Sequence, residues 1–279
     1  MKKIKGSHLY LTLVFIVLYT PIFYLIYYSF NEAGTMNHFT GFTWEHYQAV
    51  FYDSRLLIIV LNTFMLAFLS ALIATVIGTI GAMMVYYSKK RSQRNLLLSL
   101  NNILLVSPDV IIGASFLIFF TMVGTVFKNF HLGFLSVLLS HVAFSIPIVV
   151  LMVLPKLQEM KDSMVDAARD LGANNLQVVK NIILPFLSPG IIAGYFMAFT
   201  YSLDDFAVTF FVTGNGFSTL SVEIYSRARQ GISLEINALS TLVFLFSLVL
   251  VIGYYFISKE NTRKLSHRNH FKREVPPIQ

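Results

Sequence analysis

The sequence predicts an all-α integral membrane protein with six transmembrane helices and both termini cytoplasmic, and three observations carry that expectation. Of its 279 residues 56% are hydrophobic and only 13% charged, with a mean hydropathy of +0.67, whereas a soluble chain is about half apolar and a quarter charged. The apolar residues gather into blocks of about twenty or more, enough to cross roughly 30 Å of hydrocarbon as helix. The basic residues fall almost entirely on one side of those blocks. A closed barrel would alternate polar and apolar residues along each strand, and these blocks are continuously apolar instead.

The blocks cover residues 9–30, 57–87, 96–123, 133–154, 182–212 and 238–257. The first is too long for a cleaved signal peptide, and no small-residue cleavage site follows it. An outer loop follows, with Gly34, Gly41 and the single Trp, Trp44. Its aromatics Phe39, Phe42, Trp44, Tyr47, Phe51 and Tyr52 suit an interfacial belt. The second block places Ala67, Ala71, Ala74, Gly78 and Ala82 on one helical face, where a neighbouring span can approach closely. The third carries Pro108 and Asp109 near its middle, and the fifth carries Asp204 and Asp205 about two thirds along. An ionisable group in hydrocarbon costs about 2.5–3.5 kcal/mol, so these carboxylates are expected to face a bundle interior or an aqueous cavity. The chain divides into residues 1–56, with the first helix and loop, a core of five helices at 57–257, and a basic tail at 258–279.

Orientation follows from the basic residues. Seventeen of the 21 Lys and Arg lie in the N-terminal leader, the links after blocks two and four, and the tail; Arg55, Lys128, Arg227 and Arg229 lie opposite. The positive-inside rule therefore puts both termini in the cytoplasm. The net charge of +7 sits at membrane ends, without a basic stripe forming a nucleic-acid domain. With no cysteine, disulfides, thiolate metal sites and a cysteine nucleophile are excluded. The seven His are scattered without the spacing of a metal site. No catalytic constellation is apparent, and the absence of a GxxxxGK[ST] loop means that the chain should not itself bind ATP.

The link between blocks four and five, about residues 157–183, is the most distinctive segment. Residues 164–171 read as a short helix, Gly172 as its left-handed cap, and 175–183 as a second helix with Asn174 as N-cap. Met164, Val165, Leu171, Leu176, Val178 and Val179 then form a surface outside the bilayer. Such a surface wants a protein partner or rests on lipid headgroups.

This link resembles the EAA loop of binding-protein-dependent ABC importer permeases, through Asp166, Ala167, Ala168, Gly172, Ile182, Leu184 and Pro185. Asp166 stands where the family usually has Glu, which keeps the charge but shortens its reach by one methylene. SPDVIIGAS at 107–115, TYSLDDFAVTFFVTG at 200–214 and IYSRARQGISLEINAL at 224–239 resemble the second permease subunits of spermidine/putrescine importers. The resemblance covers residues 8–258. It implies a type I ABC importer permease fold in a bacterial inner membrane, with no cofactor and no enzymatic activity on this chain. ATP and Mg would be held by two partner ATPase subunits, into which the EAA-type loop docks. A second homologous permease and an extracytoplasmic polyamine-binding protein complete the implied assembly.

Charge bears on cargo. Asp109, Asp204 and Asp205 are acidic and no Lys or Arg lies deep in a block, which suits a cation better than an anion. Tyr201 and Phe206 could add cation–π contacts of about 0.5–2 kcal/mol. The same Asp pair could instead cap a broken end of block five, and importers of iron, thiamine or sulfate share the architecture. A secondary transporter or channel would use membrane carboxylates for protons or ions, but it leaves the link unexplained and lacks an inverted repeat.

Overall fold

The computed structural model describes residues 6–128, 130–230, 233–249 and 252. Among them all regular elements are helices, apart from one isolated antiparallel bridge between Asn31 and Phe42. The chain forms two compact units, residues 1–54 with 227–279, and residues 55–226.

In the first unit, α1 (Gly6–Tyr28) buries none of residues 8–28, as a lipid-facing helix of apolar residues would. The loop after it folds around Asn31, which is fully buried. Its Nδ2 donates to the Thr35 and His38 carbonyls at 2.7 and 2.8 Å, and its Oδ1 accepts from the Thr40 N–H at 2.9 Å. The loop aromatics expected as a belt pack partly on one another: Phe30 stacks on Phe42 at 5.0 Å and meets Trp44 and Tyr47 edge-on or offset. Tyr47 belongs to α2 (Glu45–Tyr52).

The second unit holds the link and the three block carboxylates Asp109, Asp204 and Asp205. Its α3 (Ser54–Tyr87) buries Ala67, Ala71, Ala74, Gly78 and Ala82, the small-residue face expected from the sequence. Its partner is α6 (Phe134–Glu159): a Cβ on Gly78 would lie 2.7 Å from the Val149 Cβ and 3.1 Å from the Ile146 carbonyl oxygen. Only a hydrogen at this position allows the two backbones to come so close.

Block three is not continuous. It divides into α4 (Arg91–Val106), which buries no residue, and α5 (Asp109–Val126). Ser107 is extended at φ −68° and ψ 137°, as the crowding of a residue by a following proline requires. Asp109 therefore opens a helix rather than sitting at mid-span. Block five is likewise broken: α9 (Leu184–Asp204) stops at the extended Asp205, and the short α10 (Ala207–Val212) follows. The unit closes with α11 (Leu220–Gln230), whose last residues enter the first unit.

Packing of α6 on α9 and of α5 on α10 positions the site. Two apolar cores result, one formed by Val149, Val153, Leu157 and Leu187 with α3 and the link, the other by Leu66, Ile112, Phe144 and Val208. Five described helices are long and apolar enough to cross a membrane: His8–Tyr28, Ser54–Tyr87, Asp109–Val126, Phe134–Glu159 and Asn175–Asp204. Of the expected sixth block, the helix Leu234–Val249 is described, while most of 250–257, the N-terminal Lys2, Lys3 and Lys5, and the tail lie outside the described residues.

Candidate functional site

The two helix breaks meet. Gly113, one turn into α5, would have a Cβ 3.1 Å from the Val208 Cα and 3.2 Å from the Ala207 carbonyl oxygen. Its missing side chain lets α10 lie against α5 and brings the start of α5 beside the end of α9. A cavity of about 600 Å³ opens there, lined by Asp109, Tyr201, Asp204, Asp205, Phe206 and neighbouring residues of α6 and α9. All five pathway candidates drawn from the sequence thus border one space. The Tyr201 hydroxyl donates to Asp109 Oδ1 at 3.1 Å, across 92 residues of chain. Tyr201 rests edge-on against Phe144, and Phe206 packs on Tyr225 with ring centres 4.5 Å apart. Among the described lining residues there is no Lys or Arg.

The three carboxylates differ in surroundings. Asp109 and Asp204 are exposed to the cavity. The Asp205 side chain is only 8% exposed and turns into the protein. Its Oδ2 accepts from the Thr209 backbone N–H at 2.8 Å and the Thr209 hydroxyl at 2.7 Å, and its Oδ1 from the Val208 N–H at 3.4 Å. Asp205 therefore caps α10, the alternative that the sequence left open for the pair, while Asp204 does not.

Behind Asp205 stands His141 of α6, a residue that the sequence reading passed over with the other scattered histidines. It is fully buried. Its Nδ1 lies 2.7 Å from the Ser202 hydroxyl and its Nε2 2.8 Å from that of Thr209, with Asp205 Oδ2 at 3.5 Å. Ser202 in turn meets Ser70 of α3 at 2.8 Å. The available signal was an ionisable residue in the middle of an apolar block, which marks an interior position by the reasoning applied to the aspartates.

The link folds by local rules. Asp166, Ala167 and Ala168 lie on α7 (Asp162–Asp170). Gly172 adopts φ +84°. Its N–H donates to the Arg169 carbonyl at 2.8 Å and that of Ala173 to the Ala168 carbonyl at 3.0 Å, the paired bonds of a left-handed helix end. Asn174 caps α8 (Asn175–Val178) reciprocally with Gln177, each backbone N–H meeting the other's side chain at 2.8 and 2.9 Å. A π turn, Val179–Ile183, joins α8 to α9 without a gap. Pro185 lies in the first turn of α9, where its ring crowds the carbonyl four residues back and the wider π turn relieves the clash.

The apolar face expected of this link is only partly at the surface. Val178 is 3% exposed and Ala168 9%; they pack into the core with Ile183, and Val165, Val179 and Ile182 line its edge. Leu171 at 89% and Leu176 at 75% remain outside, presented on either side of the Gly172 turn. Asp166 borders a groove of about 440 Å³ shared with Tyr87, Asp162 and Arg169.

Similarity to known proteins agrees with this architecture. Residues 74–266 match the family described as binding-protein-dependent transport system inner membrane component. The chain is 35% identical to the spermidine/putrescine transport system permease protein PotC of Escherichia coli (strain K12), over 91% of this chain and 94% of that protein. It is 33% identical to the putrescine transport system permease protein PotI of the same organism, over 91% and 92%. A bacterial ABC transporter that imports alginate superposes with a TM-score of 0.72 at 17% identity, over 91% of this chain and 94% of that one. The MetNI methionine ABC transporter superposes with a TM-score of 0.59 at 19% identity, over 73% and 95%. The chain belongs to the family of binding-protein-dependent transport system inner membrane components, the permeases of ABC importers, and is a multi-pass inner membrane protein.

Proposed function

We propose that this permease forms half of the transmembrane pathway for a polyamine, spermidine or putrescine, and that the link 157–183 couples it to an ATPase. The observation that carries the cargo is the cavity lined by three carboxylates and two aromatic rings, without a described cation among its lining residues. Each ammonium group of a polyamine wants an acceptor, and Asp109 and Asp204 offer theirs to the cavity. The polyamine transport named for the relatives supports the same reading.

In this reading the chain has six spans with both termini cytoplasmic, and pairs with a second permease. Two ATPase subunits bind ATP and Mg, and an extracytoplasmic binding protein delivers polyamine. Leu171 and Leu176 enter a groove of the ATPase, and Asp166 offers a charge beside them. Closure of the ATPases displaces α7 and α8, and the continuous run from α8 into α9 carries that displacement to the cavity. This is a two-state element biased from a second site.

Uptake per assembled complex in proteoliposomes, with Asp109→Asn and Asp204→Asn, tests the cargo. Both variants should assemble normally, and each should lose uptake of spermidine more than of putrescine, since more ammonium groups lose acceptors. Near-normal uptake by both would sink the cation pathway.

A further inference from the structure

We infer that His141 is the positioning residue of the cavity: an imidazole protonated at Nε2 that fastens the α9–α10 break and commits Asp205 to the protein. Asp109 and Asp204 are then the carboxylates left for cargo. The division of labour deepens the polyamine reading and rests on it, whereas the hydrogen-bond assignment stands without it.

The assignment follows from counting protons. A Thr hydroxyl has one proton and an ionised carboxylate has none. Thr209 Oγ1 donates to Asp205 Oδ2 at 2.7 Å, so toward His141 Nε2, 2.8 Å away, it can only accept. Nε2 therefore carries a proton. Nδ1 lies 2.7 Å from the Ser202 hydroxyl, which in turn lies 2.8 Å from that of Ser70. The donors run from His141 to Thr209 to Asp205, and hydrogen bonds aligned in this manner strengthen one another in a buried setting.

The consequence is geometric. Ser202 lies in the last turn of α9 and Thr209 in α10, so one ring holds both sides of the break, one nitrogen to each. Asp205 is filled by the Thr209 hydroxyl and two backbone N–H groups. The Asp204 carboxylate, next to it, meets no hydrogen-bond donor among the described residues and lines the cavity.

The test uses the complete transporter in lipid, with nitrogen-15 in its histidine rings and the His141 signal identified by its loss in His141→Asn. The His141 ring should show a protonated Nε2. A bare Nε2 would overturn the assignment. The functional arm compares Thr209→Val, which keeps shape but not the hydroxyl, with Thr209→Ser, which keeps the hydroxyl. Uptake per assembled complex should fall about tenfold in the Val variant, the size of one lost hydrogen bond to a charge, and recover in the Ser variant. Equal uptake by Val and Ser would refute the positioning role. The ring spectrum needs no cargo, so it separates failure of this inference from failure of the polyamine reading, which the Asp109 and Asp204 variants decide.

Discussion

The link 157–183 and the acidic cavity lie in the same compact unit but are assembled over different distances along the chain. In the link, Asn174 and Gln177 cap each other three residues apart, and Ala173 closes on Ala168 five residues back. In the cavity, Tyr201 reaches Asp109 across 92 residues, His141 reaches Ser202 across 61 and Thr209 across 68, and Ser70 reaches Ser202 across 132. A segment held by local bonds keeps its shape when the helices around it shift. A cavity held by long-range bonds changes whenever they do. The contrast suits a device in which a rigid handle moves a deformable site.

Substitutions should sharpen or break that contrast, and the largest effect is expected inside the cavity. Asp205→Leu leaves the Thr209 hydroxyl and two N–H groups without their acceptor, at about 1–3 kcal/mol for each buried donor. The amount of assembled complex, read by co-purification, should fall steeply. Normal assembly would mean that the break holds without its cap.

Gly172→Val acts on the handle. Nothing lies within 4 Å of a Cβ at this position, so the cost is confined to the backbone, about 1–3 kcal/mol for a β-branched residue at positive φ. Membrane insertion should be normal while transport and ATPase stimulation disappear. Survival of both activities would refute the coupling role.

A smaller effect is expected at the second cap of the handle. Asn174→Ala removes one side of the reciprocal pair, at about 1 kcal/mol, and amide exchange should quicken in α8 while the cavity variants' phenotypes stay unchanged. Spread of the faster exchange into α10 would show that link and cavity are not independent. The smallest change belongs to Asp166→Ala, which should weaken docking to the ATPase by the roughly 0.2–1 kcal/mol of an exposed ion pair. Co-purification in graded salt reads it, and an unchanged profile would remove Asp166 from the interface.

The same contrast explains which residues were legible in advance. Gly172, Asn174 and the two short helices of the link were readable because capping and left-handed turns depend on a few adjacent residues. The face of Ala67, Ala71, Ala74, Gly78 and Ala82 was readable because helical periodicity identifies it, although the partner, Val149 on α6, was not. The break in block three was missed, because continuous hydropathy over 96–123 concealed that a helix starts after Pro108, whereas the break at the Asp pair of block five was one of two readings that the sequence left open. Val178 was taken for surface because its burial depends on Leu157 and Leu187, which come from other helices.

Sequence alone determined that the chain lives in a membrane as helices, that its inner carboxylates need polar surroundings, and that the link turns at Gly172. Each of these follows from transfer free energies or from the backbone of a few neighbouring residues. Only the tertiary structure decided that Asp109, Asp204 and Asp205 share one cavity and that Asp205 belongs to the protein. It also decided that His141 joins the two sides of the break. Those outcomes depend on the close approach that Gly113 permits between α5 and α10 and on hydroxyl partners more than sixty residues apart, contacts that exist only once the helices have packed.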